Sequence, residues 1–404
     1  RGESSEPAGV GYLAQRVFQE SFTRCARGLL NQDKLLLAMR FAQIRTVGTP
    51  DEIPTLLLQS VFSGNALSAV DDDRSRAAKE VSQLLVAAMQ TANAAAAVSA
   101  PAVPLTSAQE NDLGNLFRLD ALNGIESHMR SNIDDWASFM RSPTAENAVP
   151  SGFMSSPPVG SGEILSRFVD MVAVRVLRPD RFTMSARKWV DTVFDSKLPV
   201  QNLEFNLQSV VTKESHSRAP IMLCSRSGFD ASSKVDSIAA ALGVRYQSLA
   251  MGSEEGFQMA EKYVSAAAKN GTWVLLRNVH LCPVYMVQFE KKLHSLAPHN
   301  DFRVFLTAEI NDKLPTSLLR MSQTFVFEPP AGIKASLTRS LSSIPAARMD
   351  KKPVERSRLY FLLAWFHATV IERLQYAPIG WSKRYEFSET DFRCALSSFD
   401  DWID

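Results

Sequence analysis

The chain has 404 residues, of which 45% are hydrophobic and 22% charged, a composition typical of globular domains and a length sufficient for about three of them. The 44 Lys and Arg residues nearly balance 43 Asp and Glu residues, which excludes an overall basic surface for nucleic acid. The sequence also excludes a disulfide scaffold, a Cys-based zinc site and a membrane span, because its four cysteines lie far apart and no apolar run reaches about 18 residues.

The first part of the chain is predicted to be all-helical. Apolar residues recur at helical spacing over residues 10–29, 33–44, 74–90 and 107–140, with a break near Asn123-Gly124. Several prolines and glycines follow between Ser142 and Gly162, a composition typical of a linker. The sequence therefore predicts a helical region at 1–150 and a linker at 151–162.

Beyond the linker, apolar strands alternate with helices. The predicted strands are 221–224, 273–276, 302–307 and 324–328, and the predicted helices include 232–242, 254–268, 284–296 and 315–321. This alternation favours a mostly parallel sheet covered by helices, which is an α/β fold. We assign 163–330 to this α/β domain.

Helices return after Pro329-Pro330, and 331–404 is predicted to form a smaller helical domain. Ser388 and Asp391 form a candidate capping box for its last helix. The chain stops at Asp404 within that helix, and it begins at Arg1 without the features of a signal peptide. We therefore expect a piece of a longer protein, with this domain incomplete.

A candidate phosphate-binding loop follows the strand 221–224. The phosphate-loop pattern is G-x-x-x-x-G-K-S/T, in which backbone N–H groups and the lysine hold phosphate and the final hydroxyl holds Mg²⁺. Gly228 and Lys234 stand at the required spacing, but Ser233 replaces the second glycine. Val235 replaces the hydroxyl residue.

The acidic residue that such a site needs is also absent. The strand 273–276 continues into Arg277 and Asn278, where a carboxylate would hold Mg²⁺ and orient water. The pattern therefore predicts nucleotide-binding architecture without the catalytic parts, and a purely structural strand–turn–helix remains an equal alternative. No catalytic residue and no metal site is predicted. His280 and His367, in apolar surroundings, are predicted to be core or interface histidines.

Five longer segments carry a family resemblance. They are WVLLRNVH at 273–280, FEKKLHSL at 289–296, TFVFEPPAGI at 324–333, LYFLLAWF at 359–366 and YAPIGWSKRYEF at 376–387. From about Glu163 onward the sequence resembles the dynein heavy chain family, and most closely its cytoplasmic type. Residues 12–30 are similar to the helices just upstream in the same motor, whereas residues 60–160 match only loosely.

The resemblance implies the sixth AAA+ module of a motor ring, preceded by the helical end of the fifth. It implies an AAA+ P-loop-type parallel sheet domain, with a small helical domain, that is non-catalytic and relays ATP-driven changes made at other modules. The parent would be a microtubule-stimulated ATPase, a minus-end-directed motor in the cytoplasm on the microtubule cytoskeleton. ATP and Mg²⁺ would bind other modules, and no cofactor is expected in this segment.

The implied partners lie mostly within the same heavy chain: the neighbouring AAA+ modules, the linker and the C-terminal region. Microtubules and dynein accessory subunits would be partners of the parent, with no nucleic acid and no membrane. Two other functions stay open, an active or regulatory nucleotide-binding module and a scaffold that docks accessory proteins on the helical half.

Two basic residues have both a functional and a structural interpretation. Lys234 matches the active phosphate-loop pattern, but with its partners missing we interpret it as a solvated or partly packed lysine at a helix start. Arg320 precedes the strand 324–328, where AAA+ modules contribute an arginine to the neighbouring site. We interpret Arg320 as a module-interface arginine that forms an ion pair.

Overall fold

The structure, a computed structural model, describes most of the chain. The described residues are 6–49, 52–53, 72–96, 104–119, 122, 124–152, 162–200, 206–226, 231–328, 332–374, 376, 380–383, 385 and 387–404. They form two compact units, of which one comprises Arg1–Ala26 with Gln32–Leu203 and the other Arg27–Asn31 with Glu204–Asp404.

The first unit is helical, which confirms the predicted fold class of this region. Its helices are α1 (Glu6–Ala26), α2 (Asn31–Thr46), α3 (Asp72–Ala96), α4 (Ser107–Phe117), α5 (Ile125–Ser131), α6 (Ile133–Arg141), α7 (Glu163–Leu177) and α8 (Phe182–Phe194). Their apolar faces share one core, in which Trp136, Phe168 and Trp189 are fully buried. The rings of Phe168 and Trp189 pack edge to face with centroids 4.9 Å apart.

The division between the two units differs from the predicted boundary. Helices α7 and α8, which the sequence analysis assigns to the α/β domain, pack in the core of the helical unit. The reason is the breadth of the apolar surface of α7, which buries residues on nearly every side, including Phe168, Met171 and Val174. The assignment of AAA+ modules to these ranges stays a prediction.

The second unit contains a five-stranded sheet in which every pairing is parallel. The strands are β1 (Ile221–Ser225), β2 (Tyr246–Ala250), β3 (Trp273–Arg277), β4 (Arg303–Glu309) and β5 (Gln323–Phe327), in the order β2-β3-β4-β1-β5. The predicted α/β fold is confirmed, but the sequence analysis missed β2. This strand lies at the edge of the sheet and exposes Gln247 and Ser248, so it lacks the apolar run that marks a buried strand.

Helices cover both faces of the sheet because the strands are apolar on both sides. They are α9 (Leu207–Lys213), α10 (Ser232–Leu242), α11 (Glu254–Asn270), α12 (Pro283–Ser295) and α13 (Thr316–Met321). In β1, Ile221 and Leu223 pack with α9 and α10, whereas Met222 and Cys224 pack with α11, α12 and α13. Alternate side chains of each strand thus enter two separate cores.

The chain after β5 forms a small helical lid. Its helices are α14 (Ile333–Ser342), α15 (Ala346–Met349), α16 (Glu355–Arg373) and α17 (Glu389–Ile403). Tyr360 and Phe392 lie in its core, and the fully buried Arg356 pairs with Asp400 and Asp404. The predicted capping box of Ser388 is present at the start of α17. Among the described residues, no helix is both long and apolar enough to cross a bilayer.

Candidate nucleotide site at the carboxyl edge of the sheet

Parallel strands end together at one edge of the sheet, where ligands of α/β folds usually bind. The predicted phosphate loop connects β1, which ends at Ser225, to α10, which begins at Ser232. Gly228 lies outside the described residues. Ser233 and Lys234 lie in the first turn of α10, and Ser233 is exposed.

The Lys234 ammonium is directed towards β5 and the lid. It lies 5.4 Å from the ring centroid of Phe327, the last residue of β5, in a cation–π contact. Partial desolvation lowers the pKa of Lys234, and the positive charge of Arg339 on α14 lowers it further, whereas Glu389 on α17 raises it. Lys234 is nevertheless exposed overall, so these are contacts of a solvent-accessible side chain, and its role as a solvated or partly packed lysine stays a prediction.

Val235 stands where a phosphate loop has its Mg²⁺-binding hydroxyl. Its side chain is fully buried in the core that α9 and α10 form with the sheet. The position follows from helix geometry, because Val235, Ile238 and Ala239 recur on the face of α10 that packs on the strands. The Val235 side chain has no oxygen atom for a metal ion and is not accessible to solvent.

The end of β3 carries a cation in place of a carboxylate. Nη2 of Arg277 lies 3.6 Å from Oδ2 of Asp236 on α10, and Asp236 also accepts a hydrogen bond from the Tyr246 hydroxyl. Asn278 adopts a left-handed backbone conformation, and its N–H donates to Thr307 Oγ1 at 3.2 Å. A guanidinium at this position repels a divalent cation and is paired internally with a carboxylate.

Two carboxylates that the sequence analysis missed do lie at this edge, and both have protein partners. Glu328 pairs with Arg226 at 3.0 Å. Glu309 ends β4. Oε2 of its carboxylate lies 3.9 Å from Nε2 of His280, and its backbone N–H donates to Nδ1 of the same ring at 3.1 Å. Their position at the carboxyl ends of strands was the available signal. Among the described residues, no group of three or more His, Cys, Asp or Glu side chains could hold a metal ion.

The other predicted residues lie apart from this edge or in apolar packing. Arg320 is exposed in the last turn of α13, just before β5. His367 packs on the ring of Phe392 at 5.1 Å, and desolvation lowers its pKa. Burial raises the pKa of the Cys224 thiol to about 11, which keeps it protonated and unreactive.

Two family descriptions match the sheet unit and the lid. Residues 216–326 match the family described as "Dynein heavy chain region D6 P-loop domain", and residues 356–404 match "Dynein heavy chain AAA lid domain". The chain belongs to the dynein heavy chain family. The match over 216–326 spans all five strands, with the last residue of β5 just beyond it.

Curated dynein heavy chains are similar to the whole chain. The cytoplasmic dynein heavy chain of Dictyostelium discoideum is 39% identical over 397 residues, or 97% of this chain. Those of Drosophila melanogaster and Caenorhabditis elegans are 39% and 36% identical over 100% and 97% of this chain. This chain spans only 8% of the length of each of these dynein relatives.

Proposed function

We propose that this chain is a non-catalytic AAA+ ring segment of a cytoplasmic dynein heavy chain. It comprises the end of the fifth module and most of the sixth, and it transmits rigid-body changes driven by ATP at other modules. The parent is a minus-end-directed microtubule motor and ATPase of the cytoplasm. The partners of this segment are the adjacent modules, the linker and the C-terminal region of the same heavy chain, and accessory subunits bind the parent.

The burial of Val235 is the observation that carries this proposal. A phosphoryl-transfer site needs a metal ion held by an oxygen ligand, and the position that supplies it here is a hydrocarbon side chain facing the core. The Arg277–Asp236 pair supports the same conclusion from the neighbouring strand. The segment accordingly takes no cofactor, and ATP with Mg²⁺ binds other modules of the parent.

Calorimetric titration of ATP with Mg²⁺ into the 404-residue chain tests this function. We expect no saturable binding in the micromolar range. In the full motor, Lys234→Ala should leave microtubule-stimulated ATP turnover nearly unchanged, and a large loss of turnover would contradict the proposal.

The second candidate is a nucleotide-binding module, and the position of Lys234 in the first turn of α10 favours it. Micromolar ATP affinity that is abolished by Lys234→Ala would establish this alternative. Lys262→Ala is the matched control, because Lys262 is an exposed lysine on α11, away from the loop.

A further inference from the structure

The carboxylate of Glu328 joins two distant segments of the second unit. Oε1 lies 3.0 Å from Nε of Arg226 in an ion pair, and Oε2 accepts a hydrogen bond from the backbone N–H of Asn31. Only 10% of the Glu328 side chain is exposed, although 48% of Arg226 is. Each oxygen of the largely buried Glu328 carboxylate therefore contacts a different partner.

Each partner has a defined place in the fold. Arg226 directly follows β1 at the edge where the candidate nucleotide site lies. Asn31 is the first residue of α2, so its N–H is one of the groups that a helix start leaves without an intrahelical acceptor. A carboxylate at this position both accepts that N–H and interacts favourably with the helix dipole.

The segment Arg27–Asn31 is otherwise fixed to the same strand. The N–H of Val326 in β5, two residues before Glu328, donates to the Arg27 carbonyl at 2.8 Å. The backbone of this segment thus follows the outer edge of β5. Displacement of the Glu328 carboxylate therefore changes the start of α2 without the need to move the strand.

We propose that Glu328 is a coupling residue through which a change at Arg226 reaches Asn31, the first residue of α2. When Arg226 holds one oxygen, the carboxylate is fixed in the orientation in which the other oxygen caps the helix. When Arg226 is withdrawn, the carboxylate gains rotational freedom and the cap weakens. This coupling rests on the relay role proposed above and deepens it, and it gives Arg226 a role that requires no nucleotide.

Amide hydrogen exchange of the nucleotide-free 404-residue chain tests the coupling. Glu328→Gln should raise the exchange rate of the Asn31 amide about two- to fivefold, the effect expected for loss of a charged helix cap. Arg226→Met should raise the rate of the same amide, although Arg226 itself contacts the carboxylate and not the helix. Arg393→Met is the control, because it removes another exposed arginine, one that pairs with Glu389 in the lid.

The double variant Glu328→Gln with Arg226→Met shows whether the two single substitutions act through one contact or independently. If Glu328 transmits the change, Arg226→Met has no further effect in the Glu328→Gln background. Unchanged exchange of the Asn31 amide in Arg226→Met, or additive effects in the double variant, would overturn the proposal. These measurements contain no ATP, so their failure is distinct from failure of the proposed non-catalytic function.

Discussion

Arg27 and Glu214 form a paired ionic contact with two hydrogen bonds. Nη1 of Arg27 lies 2.7 Å from Oε2 of Glu214, and Nη2 lies 3.3 Å from Oε1. The two side chains are 13% and 32% exposed, so solvent only partly screens the pair. The contact attaches the segment Arg27–Asn31 to the residue that directly follows α9, within the second unit.

We expect Arg27→Met to lower the free energy of unfolding by about 1–2 kcal/mol, because it leaves a partly buried carboxylate without its charged partner. Urea denaturation at neutral pH measures the change. Arg393→Met is the control, since Arg393 makes a solvent-exposed pair with Glu389 on one helix and should change stability by about 0.5 kcal/mol or less. Equal effects of the two variants would contradict this account.

Because Val235 is fully buried, we expect its replacement by threonine to destabilise the chain. Val235→Thr should lower the free energy of unfolding by about 1–3 kcal/mol, because the new hydroxyl enters an apolar core. It should also leave the chain unable to bind ATP with Mg²⁺. Thermal denaturation and calorimetry measure the two effects.

Val284→Thr makes the same chemical change at a site that is 78% exposed, and it should alter stability by no more than about 0.5 kcal/mol. A Val235→Thr variant that is fully stable and binds ATP would show that the position faces a ligand site.

The ionisation of Asp170 should make the stability of the helical unit depend on pH. Burial on α7 raises the pKa of its carboxyl from 3.8 to about 6, against the smaller opposing effect of Arg167. Between these values the folded chain binds the proton more tightly than the unfolded chain, so stability falls as pH rises towards 6. The penalty is complete above that pH and absent below pH 3.8.

Asp170→Asn should therefore raise the free energy of unfolding at pH 7 by about 2–3 kcal/mol and have little effect near pH 4. Denaturation at the two pH values measures the difference. Asp401→Asn, at an exposed position of α17, should show no such dependence. A stabilisation of equal size at both pH values would assign the effect to packing and not to ionisation.

Gly271 closes α11 with φ of +70°, and a Cβ there would lie 2.6 Å from Nδ1 of His299. Gly271→Ala should lower the free energy of unfolding by about 1–2 kcal/mol from backbone strain. His299 must also move away from the new Cβ, and its Nδ1 then no longer accepts the hydrogen bond from the Asp301 N–H. This loss should lower the free energy of unfolding by about 1 kcal/mol more.

Gly243→Ala is the matched comparison, because Gly243 ends α10 with φ of +63° and has open space around the Cβ position. We expect Gly243→Ala to lower the free energy of unfolding through backbone strain alone. His299→Ala removes the ring with which the new Cβ would clash. In the His299→Ala background, Gly271→Ala should therefore lower the free energy of unfolding by about as much as Gly243→Ala does. A persistent excess would mean that the clash is not the cause.

The sequence determined the elements whose signals are local. Helix α10 was predicted at 232–242 and forms there, because its apolar face and its C-terminal glycine act within the helix. The Ser388–Asp391 capping box was likewise readable, since its two residues are three positions apart. The loss of the hydroxyl at Val235 and of the carboxylate near Arg277 also required only a known pattern.

The tertiary structure alone decided which distant residues meet. Strand β2 was missed because an edge strand needs no apolar run, and its hydrogen bonds come from β3. Helix α7 joined the helical unit because burial depends on the surfaces available in three dimensions. The Glu328 contacts with Arg226 and Asn31 connect residues far apart in sequence, and such pairs leave no periodic or local signal by which a single sequence could reveal them.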